Sequence, residues 1–177
     1  MRAKHIVATA LLGASSLVFA APLSVGPANK GELSAAFEQE GVSVKNPFLK
    51  WSGRIDYDPK NVAAATAQID VEMASYDMDP LYVAELKKKA WFDTAAHPVG
   101  TFRSTAIKPV SATRFDATGT LTLKGKSQTV TVPVTVNGNT FDGTFSISRK
   151  AFGIGDPAWD DAVKDKVTIS FHLVGGK

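Results

Sequence analysis

Apolar and polar residues alternate with a period of two along much of the chain, and turn signals separate the alternating runs. Because this period places successive side chains on opposite faces of an extended strand, each run predicts a β-strand with one buried face. Asn137-Gly138 is a strong hairpin signal, and Asp58-Pro59 ends another run. Eight runs carry the predicted inward stripes: Leu33 to Phe37, Leu49 to Tyr57, Ala67 to Met73, Phe102 to Ala106, Phe115 to Leu123, Val130 to Val136, Phe141 to Ile147 and Val167 to Leu173.

One segment departs from this period. Pro80 to Phe92 is rich in helix formers and places Val83, Leu86 and Ala90 at helical spacing. Proline is favoured in the first turn of a helix, so Pro80 marks the start. We predict a helix over 80–92 that crosses one end or edge of the sheet.

The strand pattern indicates an all-β, antiparallel fold, since the connections between the runs are short. A sheet with one apolar face must cover that face, and closure into a barrel does so while it removes the sheet edges. A two-sheet sandwich would satisfy the same pattern. We favour a barrel of about eight strands with one crossover helix.

The interior of an eight-stranded barrel is either filled by side chains or wide enough for one small ligand. Small residues at inward positions favour a cavity, whereas glycines also mark bulges and sharp bends. The two interpretations are compatible. The small inward residues are Ala35, Gly53, Ala67, Ala106, Ala117, Gly119 and Gly143.

Residues 1–20 have the pattern of a secretory signal peptide, with Arg2 and Lys4 before the apolar run Ile6 to Phe19. An N-terminal membrane anchor is the alternative, but the run is short for a hydrocarbon core of ~30 Å. We therefore predict cleavage after Ala20 and a single exported domain over residues 21–177.

The net charge and the cysteine content limit which classes of function and which sources of stability the mature chain can have. The predicted signal peptide removes two of the 20 basic residues and no acid, so 18 basic and 17 acidic residues leave a net charge of +1. This balance gives no support for nucleic-acid binding. The chain has no cysteine, so an exported domain must depend on its core for stability.

The chemistry-bearing residues form no recognisable catalytic or metal-binding pattern. His97 and His172 are distant in sequence and have no cysteine ligands to join them. Asp160-Asp161 lacks the spacing of a calcium loop. We therefore predict a protein without enzymatic activity, metal or cofactor.

Three further features have two interpretations each. Lys87–Lys89 is either a solvated helix face or a site for an anionic head group or membrane surface. Arg149 is expected to pair with an acid such as Asp70 or Asp93, the alternative being the polar end of a ligand. Aromatic residues in connecting segments would form either a cap over the interior or a satellite core, and these are Trp91, Phe92, Phe152 and Trp159.

Five stretches, in this order, resemble the motifs of the YceI-like family of exported, lipocalin-like barrels. They are Trp51–Pro59, Ile69–Tyr76 with Trp91-Phe92-Asp93 after it, His97–Ser104, Gly119–Gly125 with Val130–Val134 after it, and Ser148–Ile154. The chain departs from the family pattern at Gly26–Lys30, at Tyr82–Leu86 and in a first hairpin that is shorter between Phe37 and Trp51.

The resemblance implies a periplasmic, lipocalin-like barrel whose apolar tunnel holds a polyisoprenoid or related long-chain lipid. Trp91 and Phe92 would lie near a mouth. The tunnel wall implied by the resemblance comprises Phe37, Trp51, Ile69, Val71, Phe102, Leu121, Val132, Phe145 and Phe171.

The main hypothesis is therefore a periplasmic carrier of a long apolar molecule, such as a prenyl chain, a bound isoprenoid lipid or quinone, or a fatty amide. The alternative is a non-enzymatic barrel that acts through protein–protein or membrane contacts without a bound lipid. An enzyme that uses the barrel as a pocket would need a polar cluster inside, which the inward stripes lack. The sequence leaves a homodimer and a transient membrane contact open.

Overall fold

The computed structural model describes residues 21–176, so the predicted signal peptide lies outside the described part of the chain. Alternating apolar and polar residues form a single antiparallel sheet of ten strands within this range. One α-helix, α1 (Pro80–Leu86), joins β5 to β6. The strands are β1 (Leu23–Val25), β2 (Glu32–Gln39), β3 (Val42–Pro47), β4 (Trp51–Asp56), β5 (Thr66–Glu72), β6 (Val99–Ser111), β7 (Arg114–Leu123), β8 (Lys126–Asn137), β9 (Thr140–Ser148) and β10 (Val163–Val174).

The strand order in the sheet is β1-β4-β5-β6-β7-β8-β9-β10-β2-β3. The sheet curls on itself, and backbone hydrogen bonds tie each edge strand to a segment elsewhere in the chain. At one edge, the Ser24 N–H donates to the Gly176 carbonyl (3.0 Å) beyond the end of β10. At the other, the Asp77 N–H donates to the Pro47 carbonyl (2.9 Å). The predicted antiparallel, lipocalin-like barrel with one helix is confirmed, with ten strands in place of about eight.

The two additional strands are β1 and β3, which lie at the edges of the sheet. β1 has only three residues, too few to show a period. β3 ends in Pro47 and is half-exposed along its length. Proline and polar residues are typical of edge strands, where a missing ladder hydrogen bond costs little. The hairpin of β2 and β3 is the short first hairpin between Phe37 and Trp51.

A bulge in β6 changes which residues of one predicted inward stripe face the core. The pairing of β6 with β7 shifts between Ser104 and Ala106. Because a bulge adds one residue to a strand, the alternation changes phase beyond it. Ala106 is therefore exposed, and Ile107 is buried in the core instead. The prediction that Ala106 faces inward is wrong.

Helix α1 is shorter than predicted. The Asp79 side chain accepts a hydrogen bond from the Leu81 N–H (2.9 Å), which caps the first turn. The helix ends at Leu86 and not at Phe92, and the Phe92 N–H donates back to the Leu86 carbonyl (2.8 Å). The basic run Lys87–Lys89 lies in the exposed turn beyond the helix, so it is not on the helix as predicted. This turn directs Trp91 toward the barrel interior.

The core consists of two hydrophobic clusters. They involve the inward faces of the strands and the segments across one end of the barrel, and they share partly buried neighbours such as Phe37 and Phe102. No helix within residues 21–176 combines the length and the apolar character that a bilayer crossing requires.

Candidate ligand-binding cavity

The barrel encloses a cavity of about 210 Å³. A single buried water needs only ~10–15 Å³, so the side chains do not fill the interior. At one end, the wall is formed by Ile55, Phe115 and Phe141, and the Tyr57 ring packs edge-on against Phe141 with a centroid distance of 5.2 Å. We call this the Tyr57 end.

At the opposite end, the cavity is covered by two connecting segments. The segment after α1 contributes Trp91 and Phe92, and the segment between β9 and β10 contributes Ile154. Leu121 and Val163 pack with Trp91 and Ile154 in the same cluster. We call this the Trp91 end.

The cavity collects eleven of the twelve site residues that the sequence predicted, from seven of the ten strands, from the loop after α1 and from the residue that follows β9. Whether they contact a ligand stays a prediction. The eleven are Phe37, Ile69, Val71, Trp91, Phe92, Phe102, Leu121, Val132, Phe145, Arg149 and Phe171.

Trp51 is the exception among the predicted site residues. Its side chain is 6% exposed and packs in the core, but it does not line the cavity. A Cβ placed on Gly31 would lie 2.7 Å from the far edge of the Trp51 ring. The indole is therefore covered by the segment between β1 and β2. A period-two stripe assigns a residue to a face, but it does not show which part of the core that face meets.

Three inward glycines give space to neighbouring wall residues. A Cβ at Gly143 would lie 2.3 Å from the Phe171 ring, and one at Gly119 would lie 2.6 Å from the Phe102 ring. At Gly53, the nearest atom would be the Ile69 Cδ1 at 2.4 Å. These glycines therefore let large side chains on adjacent strands lie flat against the sheet, so that their rings and methyl groups form the cavity wall. Close approach of a neighbour is a common reason for glycine in a strand.

The aromatic residues of the connecting segments divide between the two roles that the sequence suggested. Trp91 and Phe92 line the cavity as part of its cover. Phe152 is only 1% exposed and packs in the same cluster as Trp91, but it does not line the cavity. Trp159 is 43% exposed, so it belongs to neither the cover nor the core.

Arg149 is a buried structural cation at the Trp91 end, and it is 3% exposed. Its Nη2 donates to the Asp160 carboxylate (2.8 Å) and to the Val163 carbonyl (2.7 Å). Its Nη1 donates to the Ile154 carbonyl (2.9 Å), and its Nε donates to the Lys164 carbonyl (3.2 Å). Four of its five N–H groups are therefore engaged within the protein.

The expectation of an acidic partner for Arg149 is correct, but neither suggested acid is the partner. Asp70 pairs with Arg103 on the neighbouring strand β6. Asp160 fills the role because the loop between β9 and β10 folds back over Arg149, a contact that strand periodicity does not encode. Hydrogen bonds from Lys150 and from Arg149 lower the pKa of the Asp160 carboxyl.

Lys124 joins the two covering segments, although no sequence motif pointed to it. Its Nζ donates to the Ala90 carbonyl (3.1 Å) after α1 and to the Gly153 carbonyl (2.5 Å) after β9. Partial desolvation lowers the pKa of the Lys124 ammonium, and the nearby Asp93 opposes this effect. The only available sequence signal is its place in the Lys124-Gly125-Lys126 turn at the end of β7.

Tyr76 is a second polar group on the apolar wall. Its hydroxyl donates to the Ala35 carbonyl (2.9 Å), and burial raises the pKa of the phenol. The Tyr76 phenol therefore stays neutral, and its O–H is engaged by the Ala35 carbonyl. Within residues 21–176, no group of three or more His, Asp or Glu side chains is arranged to hold a metal ion. The arrangement suits the enclosure of an apolar molecule.

Comparison with known proteins agrees with this geometry. Residues 28–175 match the model of the YceI-like domain. A UPF0312 protein of Pseudomonas savastanoi pv. phaseolicola is 27% identical over 145 residues, which is 76% of this chain and 75% of that protein.

Two solved structures share the fold. BcnA of Burkholderia cenocepacia is 42% identical with a TM-score of 0.81, over 86% of this chain and 99% of that one. A polyisoprenoid-binding domain from Saccharophagus degradans, implicated in plant cell wall breakdown, is 15% identical with a TM-score of 0.66, over 86% and 97% of the two chains. With the family model matching nearly all of the described residues, the chain belongs to the YceI-like family.

Proposed function

We propose that this protein is a non-enzymatic carrier that holds one polyisoprenoid or similar long-chain lipid in the barrel cavity, and that it works in the periplasm. The observation that carries the proposal is the cavity, which extends from the Tyr57 end to the Trp91 end between apolar side chains. The relative from Saccharophagus degradans, described as polyisoprenoid-binding, supports the same ligand class.

The physical driving force is apolar burial. Each methylene group that leaves water contributes about 0.8 kcal/mol before the cost of ordering the chain. Arg149 is the one charged residue on the wall among residues 21–176, and its charge is paired with Asp160. A long hydrocarbon chain therefore meets no unpaired charge along the wall, as expected for a lipid carrier.

Periplasmic location is supported by the signal peptide pattern of residues 1–20. A carrier must also exchange its cargo with a membrane. Leu81 and Tyr82 on α1 are 82% and 52% exposed, and the basic turn Lys87–Lys89 follows. Exposed apolar residues beside lysines suit transient contact with an anionic bilayer surface.

The test is native mass spectrometry of protein purified from a bacterial periplasm, followed by organic extraction and lipid analysis. We expect a stoichiometric long-chain species. A matched pair of variants on β7 makes the result specific to the cavity. Ala117→Phe places a ring into the cavity, where Ala117 lies on the wall, whereas Thr118→Phe places it on the outer face.

We expect Ala117→Phe to lose the bound lipid and Thr118→Phe to keep it, with both variants folded by circular dichroism. A protein that carries no lipid, and that takes up none on incubation with prenyl lipids, would refute the carrier function. The search would then move to protein partners of the exposed loops. Lipid bound equally by both variants would place the binding site outside the barrel.

A further inference from the structure

The large hydrophobic side chains that stay exposed are unevenly distributed over the barrel. Seven of them are found within residues 21–176, and six of the seven lie around the Trp91 end. The seventh, Val110, lies toward the opposite end, because β6 runs from Val99 beside the end of β5 to Ser111. We call the six the apolar rim, which consists of Val42, Leu49, Leu81, Tyr82, Val99 and Trp159.

Backbone hydrogen bonds place the apolar rim beside the segments that cover the cavity. The Glu40 N–H donates to the Ala162 carbonyl (2.7 Å), which holds the hairpin tip that carries Val42 against the segment between β9 and β10. The Leu49 N–H donates to the Ser75 carbonyl (3.0 Å), shortly before α1. The rim therefore surrounds the end at which loops, and not strands, close the barrel.

The composition of the apolar rim is informative about its partner. Single exposed hydrophobic residues are normal on a soluble protein, whereas a concentration of them in one region marks an interaction surface. The rim combines aliphatic side chains with Tyr82 and Trp159, and these two aromatic types are favoured where one end of the ring is apolar and the other is wet, as at a membrane interface.

A group of cations lies at the same end. Desolvation lowers the pKa of the Lys124 ammonium, Asp93 opposes this effect, and the charges of Lys126 and Lys89 lower the pKa further. The three ammonium groups are therefore close together, and Lys89 and Lys126 are exposed. Lys87, Lys89 and Lys126 form no ion pair within the part of the chain that the structure describes.

Several acidic side chains beside the rim are already engaged within the protein. Asp79 caps α1, Glu85 pairs with Lys88, and the Asp160 carboxylate is shared by two cations. The unpaired lysines are thus available to an external anion. Unpaired lysines next to exposed apolar and aromatic side chains complement a phospholipid surface, because its head groups supply negative charge and its interfacial region accepts apolar groups.

We propose that the apolar rim is a docking surface for an anionic phospholipid bilayer, an inference that rests on the carrier function proposed above. The barrel stands on the bilayer with its Trp91 end toward the membrane. Leu81, Tyr82 and Trp159 enter the interfacial region, and the unpaired lysines contact the phosphate groups. The segments that cover the cavity then face the membrane with which a carrier must exchange its cargo.

The first test of charge is flotation of the periplasmically purified protein with two kinds of vesicle. One is phosphatidylcholine alone, and the other is an equal mixture of phosphatidylcholine and phosphatidylglycerol. We expect binding to the anionic vesicles that weakens at high salt. Lys87→Gln combined with Lys89→Gln should weaken this binding about thirty-fold. Lys60→Gln combined with Lys108→Gln, a pair of exposed lysines toward the Tyr57 end, should leave it unchanged.

The same flotation assay tests the apolar part of the rim. Leu81→Ser combined with Tyr82→Ser should weaken binding to the anionic vesicles by about ten-fold, because the apolar side chains no longer leave water. Val110→Ser is the matched control at the opposite end. Val110 and Tyr82 are similarly exposed, at 55% and 52%, so a general effect of lost surface hydrophobicity would appear in both proteins.

Fluorescence quenching by brominated phospholipids reports the orientation of the docked barrel. Of the three tryptophans, Trp51 and Trp91 are buried, whereas Trp159 is exposed on the rim. We expect bilayer contact to quench the wild-type emission, and Trp159→Phe to lose most of that quenching. Val110→Trp in the Trp159→Phe background should not be quenched, because that end faces away from the membrane. This readout decides the orientation even where a rim variant fails to fold.

The outcomes separate docking from lipid carriage. Equal binding to both kinds of vesicle, equal effects of rim and control variants, or quenching of Val110→Trp overturns the docking surface. Native mass spectrometry of the same protein measures its lipid independently. A protein that holds lipid but binds no vesicle leaves the carrier function intact and leaves the rim to a protein partner, which overturns the proposal. A protein that docks as expected but never holds a lipid refutes the carrier function, while the docking surface stands.

Discussion

Replacement of Arg149 by methionine should destabilise the barrel far more than replacement of its neighbour Lys150. Both cations hydrogen-bond to the same carboxylate of Asp160, Arg149 from the interior and Lys150 from the surface. Arg149 is 3% exposed, whereas the Lys150 side chain is 49% exposed. Comparison of the two variants therefore separates the energetic effect of buried hydrogen-bond donors from that of a surface ion pair.

The expected magnitude follows from the groups that Arg149→Met leaves behind. The carbonyls of Ile154, Val163 and Lys164 lose a donor, and each buried unpaired carbonyl costs about 1 kcal/mol or more. The loss in the free energy of unfolding is thus about 3 kcal/mol. For a domain of this size, that corresponds to a fall in Tm of roughly 6–12 °C. Lys150→Met removes only an exposed ion pair, which is worth about 0–1 kcal/mol.

Urea unfolding followed by circular dichroism measures both variants, and the midpoint with its slope gives the free energy. A loss below about 1 kcal/mol in Arg149→Met would refute the argument from unpaired carbonyls. So would an equal loss in Lys150→Met. A stable Arg149→Met protein that no longer retains lipid would instead make Arg149 a ligand contact, the alternative that the sequence also suggested.

Three further predictions concern single contacts. Tyr76→Phe should lower the free energy of unfolding by about 1 kcal/mol, because the Ala35 carbonyl loses its donor, while Tyr82→Phe at an exposed site should have no effect in the same urea assay. Gly143→Ala should cost about 1–3 kcal/mol by thermal unfolding, since its Cβ would lie 2.3 Å from the Phe171 ring and 2.6 Å from the Pro133 carbonyl oxygen; an unchanged Tm would contradict the close approach. Burial disfavours the charged Asp165 carboxylate, but hydrogen bonds from the Lys150 N–H and the Ser148 hydroxyl outweigh it and lower its pKa. Its stabilising contribution is therefore present at neutral pH and lost as the pH falls through this lowered pKa, so Asp165→Asn should flatten the acid limb of a Tm-against-pH profile.

The alternation of apolar and polar residues was sufficient to predict the central strands and the wall of the cavity. This is because inward positions in a curled sheet face one common space, so Phe102, Leu121 and Val132 reach the cavity directly from their place in the stripe. The same reasoning failed where the period is interrupted. The β6 bulge exposes Ala106, and nothing in the residue types around it marks the extra residue.

Contacts made by the connecting segments were beyond the reach of the sequence. The pairing of Arg149 with Asp160 and the bonds of Lys124 to two carbonyls depend on how loops fold over one end of the barrel. Trp51 shows a related limit, since the segment that covers it has no periodic pattern.

The pairing of β2 with β10 has a consequence for how the chain folds. Phe37 is aligned with Val167, and Ser24 hydrogen-bonds to Gly176, so strands near the start of the described chain find their partners near its end. Bringing such distant strands together costs loop-closure entropy before their contacts can stabilise the fold, and this makes folding slow. Until β10 has been synthesised, β2 keeps one edge open to other chains. Until the last strand is in place, the apolar interior face therefore stays exposed together with the open edge of β2.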